Sequence, residues 1–381
     1  MLDDEKAKFM ADRLADTEDY DPEADKAKAA SGAAATAAVE ALREKGLNSV
    51  GALNFLALNN EAPPRRTLLT VKGLKDRQNL LMPAGKVCML AAPGGTGKTQ
   101  LLFQLGVAVA SGVRWLETYG VTKAGPVLLI LGEEDEDEMH RRIRDATTGM
   151  KAWEFEPLIS ANLHVLSMCG QTAGMTDKEG EETDFYKILK EGLANWPDVA
   201  WSLIVLDPAS RFLGPEAEID NAAATRWIEA AERLTQIGSK PAVLFAHHTN
   251  KGALAGDTDQ GAARGSSALT DGVRLQINLD LVTYPQLDAE DKPTGKRLRD
   301  PTRVILRVVK SNYGPVADPL FLLRDLDHGG FLAPDPDPPS PESKPSRAKK
   351  ASKEAKADPA RKNRDEATGR YKATGERDDV E

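Results

Sequence analysis

A chain of 381 residues with 41% apolar composition can bury one large α/β core with appended segments, or two modest domains. Its net charge of −9 excludes a general basic field for coating nucleic acid, so any such contact must come from local loops, a tail or an inner channel. Cys88 and Cys169, the only cysteines, have no Cys or His at metal-ligand spacing, which argues against a zinc site or disulfide framework. The acidic start and the lack of an apolar run of about 18 residues predict a cytoplasmic protein with no membrane span.

Residues 1–64 are rich in Ala, Glu, Asp and Lys and read as a helical, partly disordered arm. From 65 to 333 the pattern changes to short apolar runs: Val87–Ala91, Val127–Leu131, His164–Met168, Leu203–Leu206 and Ala242–Ala246. Such runs suit strands buried on both faces. Helical spacing lies among them over Thr99–Ser111, Asp184–Asn195 and Asn221–Ile237. The alternation predicts an α/β core, a mostly parallel sheet with helices on both faces. After about 272 the runs Val273–Leu279, Arg303–Lys310 and Pro319–Leu323 follow closely, which predicts antiparallel strands at the C-terminal side. Residues 334–381 lose apolar periodicity and read as a disordered charged tail. Its stretch from Lys344 to Lys372 holds eleven Lys/Arg against four Asp/Glu, a solvated tail or a tether for nucleic acid or a partner.

The chemistry concentrates at strand ends. Ala92-Pro93-Gly94-Gly95-Thr96-Gly97-Lys98-Thr99, followed by Gln100, has the strand, Gly-rich turn and helix that a phosphate-binding loop requires, with Ala in its first position. The glycines let backbone N–H groups close on phosphate oxygens at a helix N-terminus. Lys98 is then expected at the β- and γ-phosphates of ATP, and Thr99 on Mg²⁺. Leu203-Ile-Val-Leu-Asp207 ends an apolar strand in a carboxylate suited to orient Mg²⁺ and its water shell. The run from Val127 leads into Glu133-Glu134-Asp135-Glu136-Asp137. Glu133, nearest the strand, is the first choice for the general base and Glu134 the second, the rest of the run fitting a solvated helix N-terminus. The fourth strand ends in His247-His248-Thr249-Asn250-Lys251, where His248 either senses the γ-phosphate or simply closes a surface strand.

Together these motifs resemble a RecA-type ATPase core, and more narrowly the RepA-like hexameric replicative DNA helicases. The resemblance rests on Ala92–Thr99, Gly132–Ile143, Leu203–Phe212, His247–Gly252, Arg264-Gly-Ser-Ser-Ala-Leu and Lys310-Ser-Asn-Tyr-Gly-Pro, over about 65–330. It implies a homo-oligomer, a hexameric ring, that splits ATP with Mg²⁺ between subunits and acts on single-stranded DNA in replication of a plasmid, phage or mobile element. It implies too that Arg264 reaches across the interface as an arginine finger, with Lys310 as a second cation in trans or a solvated strand end. Pro208–Asp220, with Arg211, and Asn250–Arg264, with Lys251, would line the channel, although Glu216, Glu218, Asp257 and Asp259 fit this poorly. A replication initiator or primase is a possible partner. The alternative is a RecA-type regulatory or recombination ATPase that assembles on DNA or protein without unwinding.

Overall fold

The computed structural model describes Ala37, Glu40 and residues 64–71, 80–196, 199–249, 266–288, 292–314 and 316–339. The chain divides into units Met1–Arg65 and Arg66–Glu381, and all that follows concerns the second. The expectations for the N-terminal arm, for Lys251 and Arg264, and for the basic stretch Lys344–Lys372 lie outside the described residues.

A nine-stranded sheet forms the centre. Its strands are β3 (Val87–Ala92), β5 (Val127–Leu131), β6 (Leu163–Ser167), β7 (Leu203–Asp207), β8 (Ala242–His248), β9 (Leu275–Leu287), β10 (Pro293–Ser311), β11 (Leu320–Asp325) and β12 (Phe331–Pro334). Their order is β12-β11-β10-β9-β3-β8-β7-β5-β6. Every pairing from β9 through to β6 is parallel, and those among β9, β10, β11 and β12 are antiparallel. The α/β class and the antiparallel C-terminal side agree with the sequence. One strand departs from it: β9, expected antiparallel, runs parallel to β3, with Leu90 opposite Ile277. The short apolar run could not reveal direction, which the path of the preceding connection sets. A second sheet was not foreseen: β1 (Thr67–Val71), β2 (Leu80–Pro83) and β4 (Tyr119–Val121) pair antiparallel in the order β2-β1-β4. Pro334 closes β12 and the next residue, Asp335, is buried against Arg303 at 2.9 Å, so the folded chain runs past the boundary expected at 333.

Helices cover both faces of the large sheet. They are α1 (Lys98–Ser111), α2 (Glu136–Gly149), α3 (Glu156–Asn162), α4 (Asp184–Asn195), α5 (Ala209–Phe212), α6 (Asn221–Leu234) and α7 (Ser267–Gly272). Strand alternation sorts the core into two layers. Cys88, Leu90 and Ala92 of β3 face a layer with α1, the small sheet and Leu332, while Val87, Met89 and Ala91 face one with α4, α6 and Phe245. Helix α1 is apolar nearly all round and buried along its length, as such a helix must be. It can lie this close because of Gly106, where a Cβ would stand 3.1 Å from Leu163 and 3.2 Å from Leu129. Gly112 ends it in the left-handed region (φ 84°), its N–H returning to the Ala108 carbonyl. Asp135 caps α2, accepting from the Glu138 N–H, and Glu136, Asp137 and Glu138 fill its first turn, so the acidic run is largely a helix start.

Candidate functional site

The parallel strands deliver their C-terminal ends to one edge of the sheet, where open α/β sheets bind ligands. There β3 passes into the loop 93–97 and α1. Gly95 (φ 73°) and Gly97 (φ 97°) occupy backbone conformations that disfavour other residues. A Cβ placed on Gly94 or Gly95 would meet nothing within 4 Å, so this side of the loop faces open space. Thr96 is buried and its hydroxyl donates to the Pro93 carbonyl at 2.5 Å, tying the loop to itself.

Strand β8 separates β3 from β7, yet the tip of β7 reaches the loop. The buried Asp207 accepts from Lys98 Nζ at 2.7 Å through one carboxylate oxygen and from the Thr99 hydroxyl at 2.7 Å through the other. Lys98 and Asp207 are 8% and 1% exposed, so each charge is kept in the interior by the other. The three side chains are those a nucleotide phosphate and a magnesium ion require: a cation for phosphate oxygens, and a hydroxyl and a carboxylate as hard oxygen ligands. The open space beside Gly94 and Gly95 leaves room for phosphates, so the residues fit ATP and Mg²⁺.

Glu133 and Glu134 follow β5 but go opposite ways. Glu133 is half exposed and pairs with Arg211 Nε at 3.7 Å. Gly132 permits this, since a Cβ there would stand 2.5 Å from Arg211 Cγ; the arginine stem crosses the strand end where a side chain would be. Glu134 turns inward. Its side chain is 12% exposed, one carboxylate oxygen lies 4.0 Å from Arg142 Nη2, and the other is buried with no hydrogen-bond partner. Burial pushes its carboxyl above the usual range, and the charges of Asp207 and Glu133 add to this, while Arg142 and Lys98 oppose it. The charges of Asp207 and Lys98 both act on Glu134, the second choice from sequence. A buried carboxylate with a free oxygen and a raised affinity for protons can accept one from water.

His248 pairs with Ala92 across the β3–β8 ladder, and the Thr249 N–H bonds to the Ala92 carbonyl at 3.2 Å, which holds the end of β8 against the start of the loop. Among the described residues the buried Thr249 hydroxyl meets no partner, a polar group that sequence reasoning did not single out. Gln100 is 1% exposed, and among the described residues neither atom of its amide has a partner. Lys310 lies elsewhere. It pairs with Gln276, which pairs on its other side with Met89, so it is two strands from β3 and level with a residue well before the loop. Its ammonium donates to the carbonyls of Thr270 and Asp271 at 2.8 and 2.9 Å, at the C-terminal end of α7, and burial lowers its pKa. Lys310 therefore does not join the phosphate loop of its own chain. Arg211 sits on α5 beside Glu133. Phe212, the aromatic side chain of the 208–220 segment, is fully buried, and its carbonyl accepts from Trp227 Nε1 at 2.8 Å, so it is unavailable for stacking on a base.

A glycine-rich loop at the end of a buried parallel strand, a Lys–Thr–Asp cluster at its foot and an inward acid on the strand beside that aspartate are the features of an α/β protein of the P-loop class. Residues 50–253, more than half of the chain, match the family model AAA_25, an AAA domain, and the chain belongs to this family. Among solved structures, that of the RadB recombinase is similar at a TM-score of 0.41 and 13% identity, over 66% of this chain and 91% of that one. Among the described residues, no helix is long and apolar enough to cross a membrane.

Proposed function

We propose that the chain is an ATP-driven translocase on single-stranded DNA, a RepA-like ring helicase serving replication of a plasmid, phage or mobile element. The observation that carries hydrolysis is the inward, desolvated Glu134 coupled to the Lys98–Asp207 pair. In this reading Lys98 leaves Asp207 for the β- and γ-phosphate oxygens when nucleotide enters, and Asp207 and Thr99 are freed to hold the metal. Mg²⁺, when bound, supplies charge neutralisation at the phosphates. Glu134 takes the proton of the attacking water; Glu133 is held away by Arg211. His248, tied through the β3 ladder to Ala92, transmits the state of the γ-phosphate to the segment that follows.

The position of Lys310, remote from its own loop, is compatible with service in trans, and Arg264 is proposed for the same interface. A cation reaching a γ-phosphoryl group from a neighbour raises turnover by roughly 10³–10⁵-fold where this has been measured. The test is ATPase rate with single- and double-stranded DNA while oligomer mass is recorded. A ring with turnover stimulated by single strands is expected; a monomer at micromolar concentration whose turnover ignores DNA would sink the proposal.

One observation favours the second reading, an ATPase that assembles on DNA or protein without separating strands. Phe212 is buried, and Glu216 and Glu218 stand in the segment assigned to the channel, which leaves that segment poor in groups for a DNA backbone. Release of a strand from a forked duplex supports the helicase; DNA-dependent assembly with ATP turnover but no release supports the scaffold.

A further inference from the structure

The antiparallel ribbon β9–β12 curls over α1, and this brings an arginine to the phosphate loop. Leu320, Leu322 and Leu332 of the ribbon pack into the core layer that contains α1. Gln104 of α1 clasps β12 from below: its amide donates to the Leu332 carbonyl at 2.8 Å and accepts from the Leu332 N–H at 2.9 Å. Arg324 pairs with Leu332 in the β11–β12 ladder and, two residues beyond Leu322, shares its α1-facing side. A Cβ on Gly97, the residue that opens α1, would stand 3.5 Å from Arg324 Nε and 3.7 Å from Leu332 Cδ1.

Among the described residues Arg324 meets no carboxylate. Its one hydrogen bond there runs from Nη1 to the Pro301 carbonyl at 3.1 Å, and its Nε is buried with no partner. Burial lowers its pKa with nothing offsetting it. Two arginines on the opposite face of the ribbon differ: Arg303 pairs with Asp335 at 2.9 Å and Arg307 with Asp280 at 3.6 Å. A second unmet group lies alongside. Gln100, with both amide atoms buried and unpartnered, follows Gly97 by three residues and precedes Gln104 by four, which sets it on the face of α1 that Gly97 and Gln104 turn to the ribbon. Unmet buried donors and an uncompensated cation are costly unless a ligand completes them.

Direction identifies the ligand group. Asp207 on β7 and Glu134 on β5 flank the loop on the β8 side of β3, whereas Arg324 approaches from the β9 side. A nucleotide whose terminal phosphates lie at the carboxylates extends its other end toward the ribbon. We propose that Arg324, with Gln100 beside it, binds the α-phosphate and ribose of the nucleotide from within the same chain. A planar guanidinium with several donors suits an oxygen-rich segment of this kind.

This inference rests on the reading of 92–99 as the nucleotide site. The test compares binding of ATP, ADP and inorganic pyrophosphate by calorimetry in the full chain and in Arg324→Ala, with thermal melting as the check on folding. Pyrophosphate fills the loop but has neither α-phosphate nor ribose. The variant is expected to bind ATP and ADP about tenfold or more weakly, the scale of one charge-assisted hydrogen bond, and pyrophosphate as the wild type does. Unchanged ATP affinity, or an equal loss for ATP and pyrophosphate, overturns the inference. If Arg324→Ala does not fold, Arg324→Gln, which keeps a donor for Pro301, must give the same selective loss. Wild-type protein that binds none of the three ligands would overturn the nucleotide site itself, an outcome distinct from failure of Arg324 alone.

Discussion

The two halves of the sheet meet at the phosphate loop but are built differently. On one side β3, β5 and β7 are buried at every position and lie in parallel, so their ends form a rigid edge from which Asp207 and Glu134 project. On the other, the ribbon β9–β12 is antiparallel, its long β9–β10 pairing is broken by register shifts, and it has polar residues on one face: Gln276, Asn278 and Asp280 alternate with Leu275, Ile277 and Leu279. Parallel strands fix the reacting groups through their shared direction. The ribbon reaches the loop only by bending, held by a few contacts such as Gln104 with Leu332. The halves should therefore answer to mutation differently, the first in chemistry, the second in affinity and stability.

The largest effect is expected at the junction. Lys98→Ala removes the cation for the phosphates and leaves Asp207 buried without its partner, and ATP turnover should fall on the order of 10³-fold or more. Turnover within tenfold of wild type would remove the loop from the chemistry.

Next come the two adjacent glutamates. Glu134→Gln should lower turnover about 10²–10⁴-fold while ATP binding survives, and Glu133→Gln should change turnover by less than about threefold. The reverse result would return the base to the exposed residue and show that Arg211 releases Glu133 in the working state. The same assignment has a pH signature. The base must be ionised, so turnover falls as pH drops through the Glu134 pKa, and the raised value moves that limb above the usual carboxylate position of about 4.3. A limb at or below that position in a pH–rate profile would count against Glu134.

On the ribbon side, Gln104→Ala leaves the Leu332 N–H and carbonyl unpaired in the interior. A loss of about 2–3 kcal/mol in denaturant melts is expected, with weaker ATP binding if the ribbon loosens from α1. Unaltered stability would mean that the ribbon is held by its apolar contacts alone.

The last effect is electrostatic and confined to acid pH. Burial pushes the Asp280 carboxyl up to about 6, with Arg307 opposing. The folded state then binds a proton more readily than the unfolded chain between about pH 4 and 6, so the stability tied to this group is highest below that window and declines as pH rises through it. Asp280→Asn lacks this decline. Whatever its offset, the variant should gain on wild type by up to about 2–3 kcal/mol between pH 4 and 7. A difference that stays constant with pH would refute the shift.

What the sequence determined by itself was whatever depends on neighbours along the chain. The phosphate loop was legible because its glycines, Lys98 and Thr99 act through local backbone geometry. The buried strands were legible because continuous apolar runs have few other uses, and the acidic run after Glu133 marked the start of α2 because carboxylates complement a helix N-terminus. The tertiary structure alone decided matters that depend on chains meeting in space. Glu133 and Glu134 are chemically alike and adjacent; a distant arginine crossing Gly132 separates their surroundings. Phe212 in a presumed DNA loop is a core residue because α6 packs over it. The direction of β9 follows from its connection, and Arg324 reaches Gly97 because a twisted antiparallel ribbon curls across α1. Local motifs encode the reacting groups, but burial and sheet curvature select among them, since both arise from packing between segments far apart in the chain.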